Sequence, residues 1–224
     1  ADIREEKALY IEAIDLMIKM QATNNLPSVV KERSFDREKL DFEMNMSLNY
    51  FGKKILGLTD IQIESIRNDF SLIHDIIIEQ PLVFVHRDFH SRNLMYKNKN
   101  LYMIDFQDAR MGSACYDLVS LLDDCYIDID PQNRKELIEY FWMKKNNNNF
   151  SFSSLDEFLN LYSLSLIQRA FKAIGSFSYM YIEKKNPRYL KHIGFAMEKI
   201  RRHQKKLQLK NNLTETLLEP YYES

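Results

Sequence analysis

The residues of this chain that could do chemistry are concentrated between positions 86 and 108. The segment from His86 to Asn93 reads HRDFHSRN, and Asp105 follows a short apolar run. Phosphoryl transfer needs a carboxylate that accepts the proton of an attacking hydroxyl, together with oxygen ligands for Mg²⁺. The spacing predicts Asp88 as the catalytic base, with Asn93 and Asp105 as the Mg²⁺ ligands. The alternative is that Asp88 is a loop cap and Asn93 a turn residue.

Two histidines and two arginines of the same segment have separate interpretations. His86, at the end of an apolar run, is expected to be a structural imidazole that fixes the loop backbone. His90 either lines the substrate pocket or is a surface loop residue. Arg87 and Arg92 either offset phosphate charge or pair with nearby acids, and the sequence does not choose between these.

Two further aspartates follow. Asp108 is a candidate acceptor for substrate hydroxyls, and the alternative is a local salt bridge with Arg110. Asp117 is expected to be structural, its carboxylate accepting backbone N–H groups of the catalytic loop. Only twelve positions separate Asp105 from Asp117. Because that interval is too short for a peptide-binding segment, the sequence predicts a small-molecule substrate.

Short β elements must position these residues. Leu82–Val85 is a β-branched and aromatic run that predicts a strand, and the runs at 94–96 and 101–104 flank a turn at 97–100 and predict a hairpin. Elsewhere the apolar spacing is helical, with helix starts predicted at Thr59, Asp130, Ser154 and Pro187. The predicted fold class is mainly α with a small strand and hairpin insert (α+β). Residues 1–224 are expected to form one domain, with a loosely ordered tail over 208–224.

Composition excludes several classes of protein. The chain has 224 residues, of which 45% are hydrophobic, and only five are glycine. No Rossmann or P-loop phosphate motif can be written with these glycines. Cys115 and Cys125 lack the spacing of a zinc site or a disulfide framework. The absence of a long apolar run and of a signal-peptide pattern predicts a cytoplasmic protein without a membrane partner.

The charge is uneven along the chain. The totals are 31 basic and 32 acidic residues, yet positions 184–210 contain ten Lys or Arg and one acid, Glu198. Such a segment could meet nucleic acid or an anionic membrane, but no glycine-rich or aromatic pattern accompanies the charge. We therefore expect a solvated helix face and no nucleic-acid partner.

The combined motifs resemble those of the aminoglycoside phosphotransferase and choline kinase-like family, which has a protein kinase-like fold. The resemblance is carried by HRDFHSRNLM from His86, IDFQDA from Ile104 and YDLVSLL from Tyr116. Within the family these segments are most similar to the bacterial anomeric kinases of N-acetylmuramate and N-acetylglucosamine. The resemblance implies ATP and Mg²⁺ as cofactors, Asp88 as base, Asn93 and Asp105 as metal ligands, and Asp117 as the loop-supporting aspartate.

The likeness covers only the C-terminal lobe of the family's two-lobed fold. Members have an upstream β-rich lobe that clamps ATP, whereas the residues before Asp88 are predicted to be helical, so the N-terminal β lobe is expected to be absent from this sequence. The chain alone is then expected to be inactive, since half of the nucleotide site is missing.

Three functions follow from these observations. The first is a kinase of an amino sugar, whose partners are a small-molecule substrate and a nucleotide. The second is an aminoglycoside or choline-type kinase. The third is a non-catalytic, kinase-like binding module, which applies if the N-terminal lobe is natively missing.

Overall fold

The computed structural model describes residues 3–125, 127–146, 154–207 and 211–223. Four strands lie within these ranges: β1 (Leu82–Val85), β2 (Leu94–Lys97), β3 (Asn100–Met103) and β4 (Arg110–Ser113). The helices are α1 (Ile3–Gln21), α2 (Ser28–Lys31), α3 (Arg37–Ser47), α4 (Asp60–Ile78), α5 (Cys115–Leu122), α6 (Pro131–Asn146), α7 (Leu155–Ile182), α8 (Leu190–Gln204) and α9 (Glu219–Glu223).

The chain divides into two compact units. The first comprises Ala1–Ser34 and Pro81–Leu159, and the second comprises Phe35–Gln80 and Asn160–Ser224. All of the candidate site residues belong to the first unit. That residues 1–224 form one domain stays a prediction.

The first unit contains two small antiparallel sheets. Strand β1 pairs with β4, with Val85 opposite Arg110. Strands β2 and β3 form the predicted hairpin, and the two residues of its turn, Asn98 and Lys99, have φ values of 52° and 60°. Positive φ at both central residues gives the turn a twist that matches the flanking strands. Strand β4 was not predicted from the sequence.

Helices of the first unit begin where side-chain caps predict them. Asp130 accepts hydrogen bonds from the backbone nitrogens of Gln132 and Asn133, both at 3.0 Å, and Pro131 occupies the first helical position of α6. Ser154 accepts from the backbone nitrogen of Glu157 at 3.2 Å and so begins α7. These contacts satisfy N–H groups that a helix start leaves without an intrahelical partner. Helices α1 and α6 are joined by a hydrogen bond of 2.8 Å from the Tyr140 hydroxyl to Asp15.

The second unit is built around α3, α4 and the part of α7 from Asn160 onwards. Thr59 and Gln62 form the predicted capping box at the start of α4. Phe70 of α4 stacks on Phe171 of α7, with 4.5 Å between ring centroids. A glycine at position 175 lets α7 approach α3 closely: a Cβ atom there would lie 2.7 Å from Ser47 Cα.

The C-terminal region differs from the predicted loose tail. Residues 208–210 lie outside the described residues, but a π-helical segment (Thr214–Leu218) is followed by α9. Three apolar side chains of this region, Leu213, Leu217 and Leu218, are buried. Because burying them stabilises the segment, residues 213–223 are helical.

The basic stretch from 184 to 206 includes a 3₁₀ turn (Pro187–Tyr189) followed by α8. Its single acid is shared, since Glu198 accepts from Arg201 and Arg202 at 2.6 and 2.8 Å. These contacts lower the pKa of Glu198 to about 2, chiefly through the hydrogen bond from Arg201. Among the described helices, none combines the length and apolarity needed to cross a membrane.

Candidate active site

The loop that carries Asp88 is fixed to the start of α5. Asp117, in the first turn of α5, is fully buried, and its carboxylate accepts the backbone N–H groups of His86 and Arg87 at 2.7 and 3.0 Å. A buried carboxylate is costly unless it accepts such hydrogen bonds. The backbone contacts expected of Asp117 are therefore present, and they set the path of the chain immediately before Asp88.

Arg87 has an unusual backbone conformation. Its φ is 79°, in the left-handed region that L-residues other than glycine rarely adopt. The guanidinium Nη1 lies 2.9 Å from Oδ2 of Asp108. Of the two alternatives for Arg87, pairing with a nearby acid is the one observed.

Asp108 therefore pairs with a different arginine from the one that the sequence suggested. Arg110, two residues away, donates to the backbone carbonyl of Asp108 at 3.4 Å, whereas the ion pair of the carboxylate is with Arg87. The Asp108 side chain is half exposed. Its second oxygen, Oδ1, can therefore accept a hydrogen bond from a solute.

The backbone of Ile104 links Asn93 to Asp105. Ile104 lies between the end of the hairpin and Asp105. The Ile104 N–H donates to the Asn93 carbonyl at 3.0 Å. On its other side, the Ile104 carbonyl accepts from Nε2 of His86 at 2.9 Å. The Ile104 backbone is thus held by both ends of the loop from His86 to Asn93, and Asp105 is the next residue.

The amide of Asn93 has a defined orientation. Its Nδ2 donates to the Asp88 carbonyl at 2.9 Å, so Oδ1 is the atom of this side chain that can bind a cation. Asp105 is exposed and has a φ of 69°. Aspartate tolerates this left-handed conformation better than most residues.

These residues fit a magnesium ion. Within the described ranges, no group of three or more His, Cys, Asp or Glu side chains is arranged to hold a metal ion. Mg²⁺ commonly takes only one or two protein ligands, and water and substrate phosphates complete its coordination. An amide oxygen from Asn93 and a carboxylate from Asp105 are hard oxygen donors of that kind.

The two histidines have different environments. His86 is 1% exposed, and burial lowers the pKa of its imidazole below the usual 6.5. With its pKa lowered, the ring is neutral at pH 7. Its hydrogen is on Nε2, because that atom faces the Ile104 carbonyl oxygen, which can only accept a hydrogen bond. This environment is that of a structural imidazole. His90 is partly exposed, and its backbone N–H donates to the Asp88 carbonyl at 3.0 Å.

An apolar surface beside Asp105 was not predicted from the sequence. Met95 and Tyr102 face each other across the hairpin and are about half exposed. Ile104 and Phe106, on either side of Asp105, are 40% and 63% exposed. The alternation of side chains along β2 and β3 was the signal that could have revealed this face.

Residues 2–144 match the sequence pattern of the phosphotransferase enzyme family, APH. The chain belongs to this family. That match spans both β sheets, α5 and every candidate site residue, so the predicted recognition is confirmed.

One relative is similar to this chain over most of its length. This chain is 32% identical over 199 residues to an N-acetylmuramate/N-acetylglucosamine kinase of Neisseria meningitidis serogroup B. The alignment covers 88% of this chain and 59% of that kinase. The chain thus spans about three fifths of the length of this relative.

Two solved structures share the fold of this chain. The gentamicin complex of APH(2″)-IIa matches with a TM-score of 0.56 and 19% identity, over 94% of this chain and 64% of that one. A choline/ethanolamine kinase family protein from Mesorhizobium loti matches with a TM-score of 0.57 and 11% identity, over 99% and 68%. The predicted mainly helical, kinase-like fold with small β elements is confirmed. No β-rich lobe occurs among the described residues before β1.

Proposed function

We propose that this protein is an ATP- and Mg²⁺-dependent phosphotransferase that acts on a hydroxyl of an amino sugar of the N-acetylmuramate or N-acetylglucosamine type. The observation that carries the proposal is the backbone of Ile104, which ties Asp105 to both Asn93 and His86. This arrangement joins a candidate base and two candidate metal ligands on one loop and one hairpin. A sugar acceptor is supported by the relative from Neisseria meningitidis, which is named for both sugars.

In the proposed reaction Asp88 receives a proton. The sugar hydroxyl attacks the γ-phosphorus of ATP, the new O–P bond forms as the bond to the β-phosphate oxygen breaks, and ADP leaves. The hydroxyl proton passes to the Asp88 carboxylate. Asp117 fixes the backbone on which Asp88 sits, and the neutral His86 keeps Ile104 and hence Asp105 in register with the loop.

Asn93 and Asp105 would hold Mg²⁺, which when bound neutralises charge on the phosphate oxygens. The exposed apolar face at Met95, Tyr102 and Ile104 offers a surface on which a nucleotide base can stack. Both features are consistent with a nucleotide beside Asp105.

Asp108 and His90 are the proposed substrate-binding residues. The Oδ1 atom of Asp108 can accept a sugar hydroxyl while Oδ2 pairs with Arg87. Sugar recognition depends on such directional acceptors, since each hydroxyl that is removed from water must be paired again.

Residues 1–224 would form the lobe with the catalytic loop and the substrate site. Because the chain covers 59% of its relative, we expect that activity requires sequence beyond these residues, and that 1–224 alone is inactive. Cytoplasmic location and the lack of a nucleic-acid partner remain predictions.

The test is an assay of the complete gene product with ATP, Mg²⁺ and four acceptors: N-acetylmuramate, N-acetylglucosamine, choline and kanamycin. The two amino sugars are expected to turn over, and Asp88→Asn is expected to lower kcat by about 10²- to 10⁴-fold. Asp128→Asn, on an exposed loop of the same unit, is the matched control. Turnover of none of the four acceptors, or an unchanged rate for Asp88→Asn, would contradict the proposal. Preference for choline or kanamycin would favour the alternative function, an aminoglycoside or choline-type kinase.

A further inference from the structure

A cavity of about 200 Å³ lies in the first unit, between α1, the hairpin and α5. We call it the α1–hairpin cavity. Its walls include Tyr10 and Ala13 of α1, Leu94 and Leu101 of the hairpin, and Leu121 of α5. Ala13 and Leu121 are 2% and 1% exposed, so the deep wall belongs to the core.

The cavity opens to solvent at its rim. Leu9 and Tyr96 also line it, and these side chains are 41% and 55% exposed. A small solute can therefore enter without the core having to open.

One polar atom on the cavity wall is conspicuous. Ser91 lines the cavity, and its Oγ is buried without a hydrogen-bond partner among the described residues. A buried hydroxyl without a partner is destabilising, so a ligand that supplied the missing hydrogen bond would gain affinity. Water is a poor occupant because a buried water needs two to four polar partners, and these walls are mainly apolar.

The size and the walls together define the occupant. An apolar cavity of about 150 Å³ is enough for benzene, so one of about 200 Å³ takes an aromatic ring with a small substituent. Tyr10 and Tyr96 contribute aromatic surface, which favours another aromatic ring in edge or offset contact. A purine or a sugar carries more donors and acceptors than this cavity can pair, so the proposed kinase substrates are excluded from it.

We propose that the α1–hairpin cavity is a binding site for a small aromatic molecule with one hydrogen-bonding group, the size of phenol or indole. The hydrogen-bonding group pairs with Ser91 Oγ, and the ring lies against Leu94, Leu101 and Leu121. The site is separate from the phosphotransfer chemistry and does not depend on the proposed function.

The site is adjacent to the candidate metal ligand. Ser91 begins the 3₁₀ turn Ser91–Asn93, and Leu94 follows it as the first residue of β2. The Asn93 N–H donates to the His90 carbonyl at 2.9 Å within this turn. A ligand that binds only the closed turn stabilises it, so the ligand acts as an effector of the loop that carries Asn93.

The first experiment uses NMR on the complete gene product with phenol as the probe. We expect saturable binding with a Kd of about 0.1–1 mM, the range for a ligand of this size. Intermolecular NOEs are expected from the ring protons to the methyl groups of Leu94 and Leu101. Absence of saturable binding, or NOEs to other sites only, would overturn the proposal.

Two analogues test the chemistry of the ligand. Toluene lacks the hydroxyl and is expected to bind about three- to tenfold more weakly than phenol. Cyclohexanol keeps the hydroxyl but lacks the aromatic ring, and it is also expected to bind more weakly. Equal affinity for phenol and either analogue would overturn the assigned ligand class.

Two variants test the location. Ser91→Ala is expected to remove the preference for phenol over toluene, and Ala13→Phe, which fills the cavity, is expected to abolish binding. If Ala13→Phe does not fold, the NOEs and Ser91→Ala carry the test. Retention of the full phenol preference in Ser91→Ala would overturn the role of Ser91.

Hydrogen exchange tests the coupling to the loop. Phenol at ten times its Kd is expected to slow exchange of the Asn93 amide by about tenfold if opening of the turn releases the ligand. Unchanged exchange despite saturation would overturn the effector role. None of these measurements requires ATP or a sugar, so their failure is distinguishable from failure of the proposed kinase activity.

Discussion

The guanidinium of Arg87 is joined to the carboxylate of Asp108 by a 2.9 Å ion pair. This contact links the residue before Asp88 to the segment that follows Asp105. The loop that carries Asp88 is thereby attached at three points: Asp117 holds its backbone, His86 holds Ile104, and Arg87 holds Asp108. The geometry of Asp88 relative to Asp105 depends on all three.

Replacing Asp108 tests whether it binds substrate. We expect Asp108→Ala to raise the KM for the sugar by about 10- to 100-fold, the range for losing a hydrogen bond to a charged group. Arg87→Ala should raise KM by a smaller factor. It breaks the ion pair, so Asp108 can move, but the Asp108 carboxylate is still present. The double variant should be no worse than Asp108→Ala. Independent, additive effects in steady-state kinetics would show that the two residues do not act as a unit.

Asp117 provides a prediction on stability. Asp117→Ala leaves two backbone N–H groups without their acceptor, so we expect the free energy of unfolding to fall by about 3 kcal/mol. Chemical denaturation measures this change. Asp117→Asn, which retains one acceptor oxygen, should lose less, and Asp128→Ala on an exposed loop should change little. A loss below about 1 kcal/mol for Asp117→Ala would mean that water replaces the carboxylate.

Asp105 is predicted to control the metal requirement. Asp105→Asn keeps the size of the side chain and removes its charge, which weakens binding of a hard divalent cation. The Mg²⁺ concentration at half-maximal rate should rise by at least about tenfold. A magnesium titration of the complete gene product measures the effect, with Asp128→Asn as control. An unchanged requirement would remove Asp105 from the metal site.

His86 predicts a pH dependence of stability. Burial lowers the pKa of its imidazole in the folded state below 6.5, so the unfolded state binds the proton more tightly. The stability that the neutral His86 contributes is therefore fully present above about pH 6.5. It is lost as the pH falls below that value towards the folded-state pKa. The slope from one such group is at most about 1.4 kcal/mol per pH unit.

The measurement compares urea unfolding of the wild type and His86→Gln between pH 7.5 and about 5. The variant should lose less stability than the wild type over this interval, whatever its starting value, because the other titrating groups are common to both. Asp128→Asn, which removes no histidine, is the control. Parallel curves for the wild type and His86→Gln would mean that His86 is protonated in the folded state without cost.

Close packing at Gly175 gives a prediction in the second unit. Gly175→Ala places a Cβ atom 2.7 Å from the Ser47 Cα. To relieve this clash the backbone of α3 or α7 has to shift, which costs more than moving a side chain. We expect a loss of about 2 kcal/mol in the free energy of unfolding. Gly194→Ala is the matched helical control, since its new Cβ would meet only the end of the Tyr221 side chain at 3.1 Å. Equal effects in the two variants would refute the packing argument.

Local signals made much of the fold predictable. The capping box at Thr59, the Asp130-Pro131 start and the hairpin turn are each specified by residues close in sequence, and each is present. Strand β4 was missed because its sequence, Arg-Met-Gly-Ser, has no apolar alternation, and it is a strand because it pairs with β1. The helical segment at 213–223 was missed because its leucines are buried by contacts within the second unit, which no local pattern indicates.

The candidate site divides in the same way. The spacing of Asp88, Asn93 and Asp105 was readable because it follows the order of loop and hairpin along the chain. The ion-pair partner of Asp108 could not be predicted in this way. Arg87 lies 21 residues away, and the sequence suggested Arg110 because it is nearer. An ion pair between side chains so far apart in the sequence leaves no periodic pattern in it.

Two residues of the site, Arg87 and Asp105, hold a backbone conformation that suits glycine. A left-handed conformation costs a residue such as arginine about 1–2 kcal/mol and costs aspartate less. In a chain with only five glycines, two of the positions with positive φ are thus occupied by an ion-pairing side chain and a candidate metal ligand. Stability and the proposed function therefore compete at these positions. Glycine would relieve the backbone conformation, but it would remove the ion pair at position 87 or the proposed metal ligand at position 105.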